Sequence, residues 1–113
     1  MKVSENSKPI DHTAWSDALY AAWTSRTPIA PLTEQVPGLT IDDAYQIQQG
    51  LAAHLISDGG AVIGYKLGLT SKPMQELLGV DEPDYGPLLS PMVYDDGASI
   101  DLAAYIQPKV EAE

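Results

Sequence analysis

The sequence predicts an α+β fold in which two amphipathic helices precede a region of short strands. Two observations support this prediction. Residues 13–26 and 40–58 place apolar side chains at helical intervals, whereas residues 61–113 carry short apolar runs separated by Pro and Gly. With 113 residues and 44% hydrophobic composition, the chain has enough apolar surface for one small domain with a buried core.

The first helix is expected over residues 13–26, after a polar N-terminal arm. Its apolar positions follow at i, i+4, i+7 and i+8: Trp15, Leu19, Ala22 and Trp23. Asp11 or Thr13 could cap its start, and Thr27-Pro28 should end it, because the residue before Pro avoids the helical region. Residues 27–38 contain three prolines and are expected to form an extended connection.

The second helix, residues 40–58, has clearer boundary signals. Thr40 and Asp43 resemble a capping box, with Asp in place of the usual Glu. An apolar stripe follows at Ala44, Ile47, Leu51 and Leu55, and Gly59-Gly60 should stop the helix.

The second half is predicted to alternate strands with turns. Residues 61–68 form a short apolar run that is typical of a buried strand, and Ser71 should cap a short helix closed by Gly79. Residues 95–97 predict a turn between short strands at 92–94 and 98–100. Residues 106–113 alternate in polarity and predict a final strand.

Composition argues against several classes of protein. Six basic against sixteen acidic side chains give a formal charge of −10, which disfavours binding to nucleic acid or to an anionic membrane surface. The absence of Cys excludes disulfides, thiolate metal sites and a Cys nucleophile. Neither a secretory leader nor an apolar run of membrane-spanning length is visible, so we expect a soluble, cytoplasmic protein.

Lys66 is the first candidate for chemistry. A cation in an apolar strand costs desolvation energy unless an anion meets it, and the flanking Gly64 and Gly68 allow a ligand to approach closely. Lys66 could hold a substrate carboxylate or act as an acid or base. Alternatively, its side chain extends to solvent at a strand edge.

Glu111 and Glu113 are the second candidate. On a strand, residues i and i+2 share a face about 6.5 Å apart, a separation at which two carboxylates can hold one hard cation. Val110 and Ala112 would then face a core. The same alternation is also typical of any half-solvated strand, and two carboxylates alone make an incomplete site.

Residues 81–86 have the composition of a polar Pro/Gly turn, and a functional carboxylate there would need a site nearby. His12 and His54 have no partner motif and are expected to be surface residues.

Five sequence blocks occur in an order that resembles a known family. The chain resembles the N-terminal part of 2-keto-4-pentenoate (2-hydroxypenta-2,4-dienoate) hydratases, in the hydratase/decarboxylase branch of the fumarylacetoacetate hydrolase superfamily. The resemblance runs from about residue 14 to the last residue. The blocks are residues 29–32, 43–48, 62–71, 78–86 and 106–113.

The resemblance implies a domain plan and a set of site residues. The residue pattern predicts a flexible arm (residues 1–12) and a helical region (13–60), and the resemblance implies that residues 61–113 are the beginning of a mixed β-rich catalytic domain, truncated here. Lys66 and Asp84 match the family's catalytic lysine and aspartate. Glu111 and Glu113 match its Glu-x-Glu pair, which binds Mg²⁺ or Mn²⁺ together with a downstream Glu that has no counterpart in this sequence.

The implied reaction is addition of water to 2-hydroxypenta-2,4-dienoate, giving 4-hydroxy-2-oxopentanoate in aromatic-compound catabolism. Lys66 would neutralise or protonate the developing enolate, and Asp84 would orient or deprotonate a water. The resemblance also implies a homo-oligomer at full length and an inactive 113-residue chain by itself. The alternatives are a 4-oxalocrotonate decarboxylase, a hydratase of the longer 2-oxo-heptenedioate, and a non-catalytic truncated module.

Overall fold

The computed structural model describes residues 9–113, so residues 1–8 of the predicted arm lie outside the described part. Within residues 9–113, four helices and one two-stranded antiparallel sheet give an α+β composition, as the sequence predicts. The elements are α1 (His12–Ser25), α2 (Leu32–Gln35), α3 (Ile41–Ser57), β1 (Val62–Gly68), α4 (Lys72–Leu78) and β2 (Asp84–Leu89). Single 3₁₀ turns follow at Ser90–Met92 and Leu102–Ala104.

The chain forms two compact units. One contains the described residues up to Leu51 together with Ser99–Glu113, and the other contains Ala52–Ala98. The division at residue 60 that the sequence suggests remains a prediction. No helix in residues 9–113 combines the length and apolar character needed to cross a bilayer.

Helix α1 begins at a side-chain cap. The Ala14 N–H donates to Asp11 Oδ1 at 3.0 Å, which selects Asp11 over Thr13 as the capping residue. The helix ends one residue earlier than predicted, at Ser25. Arg26 adopts a left-handed conformation there (φ 54°), and its N–H donates to the Ala22 carbonyl.

Helix α3 begins with the predicted capping box. The Asp43 N–H donates to Thr40 Oγ1 at 3.0 Å, and the Thr40 N–H donates to Asp43 Oδ2 at 3.0 Å. Gly59 follows the helix with φ 107°, a conformation that favours Gly, and the Gly60 N–H donates to the Leu55 carbonyl. Both ends of α3 are therefore set by local sequence.

Helices α1 and α3 approach closely at Ser16. The buried Ser16 Oγ lies 2.8 Å from the carbonyl oxygen of His12 and 2.9 Å from that of Ile47 on α3. Gly50 makes this approach possible, because a Cβ there would overlap the Ser16 hydroxyl and lie 2.6 Å from Ser16 Cβ. Ile47, whose carbonyl accepts the bond from Ser16, is only 1% exposed.

In the other unit, β1 and β2 pair antiparallel, with an irregularity between Val62 and Gly64. Helix α4 connects them. Ser71 caps its start by accepting from the Met74 N–H, and Gly79 (φ 70°) ends it, both as predicted. Gln75 on α4 is buried, and its Nε2 donates to the Leu69 carbonyl at 2.7 Å. This bond fixes α4 against the end of β1.

Two loop predictions are wrong. Residues 27–38 contain one turn of helix, α2, in which the Gln35 N–H donates to the carbonyl of the N-cap residue Pro31 and the Val36 N–H donates to that of Leu32. Asp84–Leu89 forms β2, although residues 81–86 have turn composition. Its pairing with β1 makes this segment a strand. Pro87, opposite Tyr65, is tolerated because β2 pairs on one edge only within the described sheet, and Pro lacks the N–H that an interior strand would require.

Three strand predictions also fail. The turn at 95–97 is confirmed, since the Ala98 N–H donates to the Asp95 carbonyl and Gly97 has φ 82°, but residues 92–94 and 98–100 form no strands. Residues 106–113 are irregular, and Val110 is 99% exposed instead of facing a core. Alternating polarity indicates a strand only where a neighbouring strand supplies the hydrogen bonds.

Candidate functional site

Lys66 and Asp84 lie on the same face of the two-stranded sheet. In β1, Gly64, Lys66 and Gly68 alternate onto one face. In the pairing register, Lys66 lies opposite Gly86 and Gly68 lies opposite Asp84. We call this surface the Lys66 face, defined by Gly64, Lys66, Gly68, Asp84, Gly86 and Leu88, the last of which lies opposite Gly64.

Lys66 and Asp84 are diagonal neighbours on this face. Diagonal positions in an antiparallel pair lie roughly 7–8 Å apart, within reach of long side chains. A cation and a carboxylate at this spacing can contact two groups of one small molecule. The geometry therefore brings together two of the four residues that the sequence singled out, although their catalytic roles remain predictions.

Glycine shapes the Lys66 face. The Asp84 carboxylate occupies the space above Gly68, where a Cβ would collide with Asp84 Oδ1 and lie 3.3 Å from Asp84 Cγ. At Gly64, by contrast, a Cβ would meet no atom within 4 Å. Asp84 thus fills the space above Gly68, whereas the space directly above Gly64 is open. Gly86 was missed in the sequence because the strand containing it was not predicted.

The environment of Lys66 differs from the expected one. The Lys66 side chain is exposed, so the desolvation argument based on a buried strand is wrong for this structure. Most of β1 is exposed as well, including Tyr65 at 61% and Leu67 at 63%. These apolar side chains project from the face opposite Lys66, since successive strand residues alternate.

Glu111 and Glu113 lie in the other compact unit, and their role as metal ligands remains a prediction. Both are exposed, and the segment containing them has no regular structure. Within residues 9–113, no group of three His, Cys, Asp or Glu side chains is arranged to hold a metal ion. Two carboxylates supply only part of the six or more oxygen ligands that a divalent cation takes, so the pair would need further ligands.

A third polar cluster joins α1 to α3. His12 Nε2 lies 2.8 Å from Asp43 Oδ1, and Asp43 also takes part in the Thr40 capping box. The hydrogen bond from His12, reinforced by those from Thr40, lowers the pKa of Asp43 from 3.8 to about 2. These contacts connect α1 to the start of α3. The sequence pattern did not predict the His12–Asp43 pair.

The chain is similar in sequence to curated hydratases. It is 48% identical over 98 residues to a 2-keto-4-pentenoate hydratase of Paraburkholderia xenovorans (strain LB400), covering 87% of this chain and 36% of that protein. It is 44% identical over 97 residues to a 2-hydroxyhexa-2,4-dienoate hydratase of Comamonas testosteroni, covering 84% of this chain and 37% of that protein. The resemblance inferred from the sequence is confirmed, and the chain spans slightly more than a third of these relatives' length. No family model matches the chain.

Solved structures of a decarboxylase share the backbone arrangement. A 4-oxalocrotonate decarboxylase from Pseudomonas putida G7, complexed with calcium and acetate, superposes with a TM-score of 0.81 at 27% identity. The match covers 89% of this chain and 40% of that chain. The same decarboxylase complexed with magnesium and adipate superposes with a TM-score of 0.68, covering 76% of this chain and 34% of that chain.

Proposed function

We propose that this chain supplies the Lys66 and Asp84 part of a hydratase site that adds water to 2-hydroxypenta-2,4-dienoate, giving 4-hydroxy-2-oxopentanoate. The observation that carries the proposal is the Lys66 face: a cation and a carboxylate share a glycine-lined surface in a chain 48% identical to a 2-keto-4-pentenoate hydratase. The physiological setting in this proposal is catabolism of aromatic compounds.

The chemistry of the two side chains suits this reaction. Ketonisation of the dienol moves a proton from the 2-hydroxyl to C5 and leaves a 2-oxo-3-enoate, whose C4 is electrophilic. Water then adds its oxygen to C4, and a proton goes to C3. Lys66 is suited to hold the substrate carboxylate and the enolate charge that develops during addition, and Asp84 is suited to orient the water or take its proton.

A divalent metal is part of the proposal only for a complete site, in which residues outside 9–113 supply the remaining metal ligands. The decarboxylase structures were obtained with magnesium or calcium, which supports a divalent cation. Glu111 and Glu113 are the residues that this chain would contribute, together with ligands from outside residues 9–113. We therefore propose that the isolated 113-residue chain has no hydratase turnover.

A chimera provides the test. The matched part of the Paraburkholderia xenovorans hydratase is replaced by the corresponding residues of this chain, and loss of dienoate absorbance is followed. The chimera should hydrate the dienoate, while Lys66→Ala and Asp84→Asn should each lose most of the activity. Lys72→Ala, an exposed lysine at the start of α4, is the matched control and should retain it. Full activity in the Lys66→Ala chimera would refute the proposed role.

Decarboxylation of 4-oxalocrotonate is the second candidate, favoured by the TM-score of 0.81 to a decarboxylase. Supplying both substrates to the chimera separates the two reactions, because only decarboxylation releases CO₂. A preference for 2-oxo-hept-4-ene-1,7-dioate would instead indicate the longer substrate, which is the one named for an Escherichia coli relative at 38% identity.

A further inference from the structure

The C-terminal end of α1 and residues 104–106 line a small cavity within one compact unit. Its volume is about 250 Å³. Sites for drug-sized ligands usually measure roughly 300–1,000 Å³, so this cavity suits a smaller molecule with a single ring. The lining residues, none of which has a part in the proposed reaction, are Trp23, Arg26, Ala104, Tyr105 and Ile106.

Trp23 forms an apolar wall of this cavity. Its position in the helical stripe of α1 predicts a core contact, but its side chain is 48% exposed. Tyr105 and Ile106 are exposed as well and add a second aromatic ring and an aliphatic side chain. Indole and phenol rings present flat faces against which a planar ligand can pack. Apart from the guanidinium of Arg26, the lining is therefore apolar or aromatic.

Arg26 gives the cavity its positive charge. It is the only arginine in a sequence with sixteen acidic residues, yet no carboxylate in residues 9–113 pairs with it. Its Nη1 donates to the Thr24 carbonyl at 3.2 Å, which restrains the side chain at the end of the helix. A guanidinium can hold a carboxylate through two parallel hydrogen bonds. The cavity thus combines an anion-binding group with aromatic walls.

The backbone at Arg26 also favours a role for its side chain. A helix that ends in a left-handed residue usually has Gly there, because Gly adopts this conformation without steric cost. Arg26 has φ 54°, and Gln107, directly after Ile106, has φ 48°. With Leu69, these are the three non-glycine residues of positive φ in residues 9–113, so two of the three lie at the cavity. Strained backbone of this kind is concentrated at functional sites.

We propose that this cavity binds a small aromatic carboxylate, with the carboxylate on Arg26 and the ring against Trp23 and Tyr105. An uncharged aromatic molecule would leave the guanidinium without an anion, and an acetate-sized anion would leave the aromatic walls uncovered. The inference goes beyond the proposed function, because it involves neither Lys66 nor Asp84 and holds whatever reaction is catalysed.

Titration of the 113-residue chain with sodium benzoate tests the site. The indole N–H resonance of Trp23 in the NMR spectrum should shift saturably, with a dissociation constant of about 1 mM or tighter. The resonance of Trp15, the other tryptophan of the sequence, is the internal reference and should move little. Benzamide, which lacks the charge, and acetate, which lacks the ring, should each bind roughly tenfold more weakly or worse.

Two variants identify the anion-binding group. Arg26→Gly keeps a residue suited to the left-handed backbone and removes the guanidinium, so affinity for benzoate should fall roughly tenfold or more. Lys109→Gln is the matched control, because it removes one positive charge from the same compact unit outside the cavity lining. It should leave the affinity unchanged.

Marginal stability of the isolated chain does not obscure the result, because the chimera is titrated in parallel by calorimetry. Saturable binding in either protein that Arg26→Gly weakens and Lys109→Gln does not supports the inference, with or without hydratase turnover. Absence of saturable binding in both proteins overturns it. Equal affinity for benzamide or acetate, or an equal loss in Lys109→Gln, also overturns it.

Discussion

At the scale of single residues, Gly68 controls where the Asp84 carboxylate lies. A methyl group at Gly68 would occupy the space that Asp84 Oδ1 fills, whereas one at Gly64 meets no atom within 4 Å. The two glycines are on the same strand and face, so they differ mainly in this contact. The position of the Asp84 carboxylate therefore depends on the absence of a side chain at its cross-strand partner, Gly68.

We predict that Gly68→Ala in the chimera lowers kcat/KM by roughly tenfold to a hundredfold, because small displacements of a reacting group have effects of that size. Gly64→Ala should produce a clearly smaller loss. Steady-state kinetics on the dienoate measures both. Equal losses in the two variants would show that the strand, and not Asp84, responds to the added methyl group.

Asp43 makes a pH-dependent contribution to stability. Its pKa is lowered from 3.8 to about 2, so the folded state favours the ionised carboxylate. The contribution is then fully present above about pH 4 and is lost as the pH falls through 2. Urea unfolding of wild type and Asp43→Asn should show a difference in midpoint at pH 7 that disappears near pH 2. Asp42→Asn, at an exposed neighbouring position outside the capping box, is the matched control and should change the midpoint at pH 7 much less than Asp43→Asn.

At the scale of secondary-structure elements, the α1–α3 contact depends on Gly50. Alanine at this position improves helix propensity by about 1 kcal/mol. Its Cβ would nevertheless lie 2.6 Å from Ser16 Cβ, and overpacking of this kind costs about 1–3 kcal/mol. We predict that Gly50→Ala lowers the urea midpoint of the helical circular dichroism signal.

Two further variants test the cause. Gln49→Ala, at an exposed position on the same helix, should leave the midpoint unchanged or raise it slightly. In a Ser16→Gly background, Gly50→Ala should lose most of its destabilising effect, because the colliding atoms are gone. An undiminished effect in that background would rule out the Ser16 contact as the cause.

At the scale of the whole molecule, metal binding by the isolated chain should be weak. Glu111 and Glu113 are exposed, and residues 9–113 contain no group of three metal-binding side chains. We predict a dissociation constant for Mg²⁺ weaker than about 1 mM, because Mg²⁺ requires near-octahedral oxygen coordination. Calorimetry measures it. Micromolar affinity that disappears in Glu111→Gln would contradict the prediction.

The isolated chain should also be marginally stable. In the described part of the molecule, Val36, Ile47 and Leu89 are the buried apolar side chains, whereas Tyr65 and Leu67 are largely exposed. We predict a broad thermal transition, binding of a hydrophobic dye and no hydration of the dienoate. A sharp cooperative transition in a monomeric sample, accompanied by turnover, would contradict this prediction.

The sequence by itself determined helices α1, α3 and α4, with their ends placed to within one or two residues, but not the single turn α2. Asp11, the Thr40–Asp43 box, Ser71 and Gly79 act within a few residues of themselves, so the boundaries that they set could be predicted without a tertiary structure. The same local character made the strand around Lys66 predictable from its short apolar run between glycines. The five ordered sequence blocks predicted the similarity to hydratases, which the comparisons confirm.

Only the tertiary structure decided which extended segments became strands and which side chains share a face. Residues 84–89 pair with β1 despite their turn composition, whereas residues 106–113 alternate in polarity and remain irregular. The physical reason is that a strand is completed by hydrogen bonds to a segment distant in sequence, which local pattern does not identify. The placement of Lys66 and Asp84 on one face of the sheet depends on that pairing register.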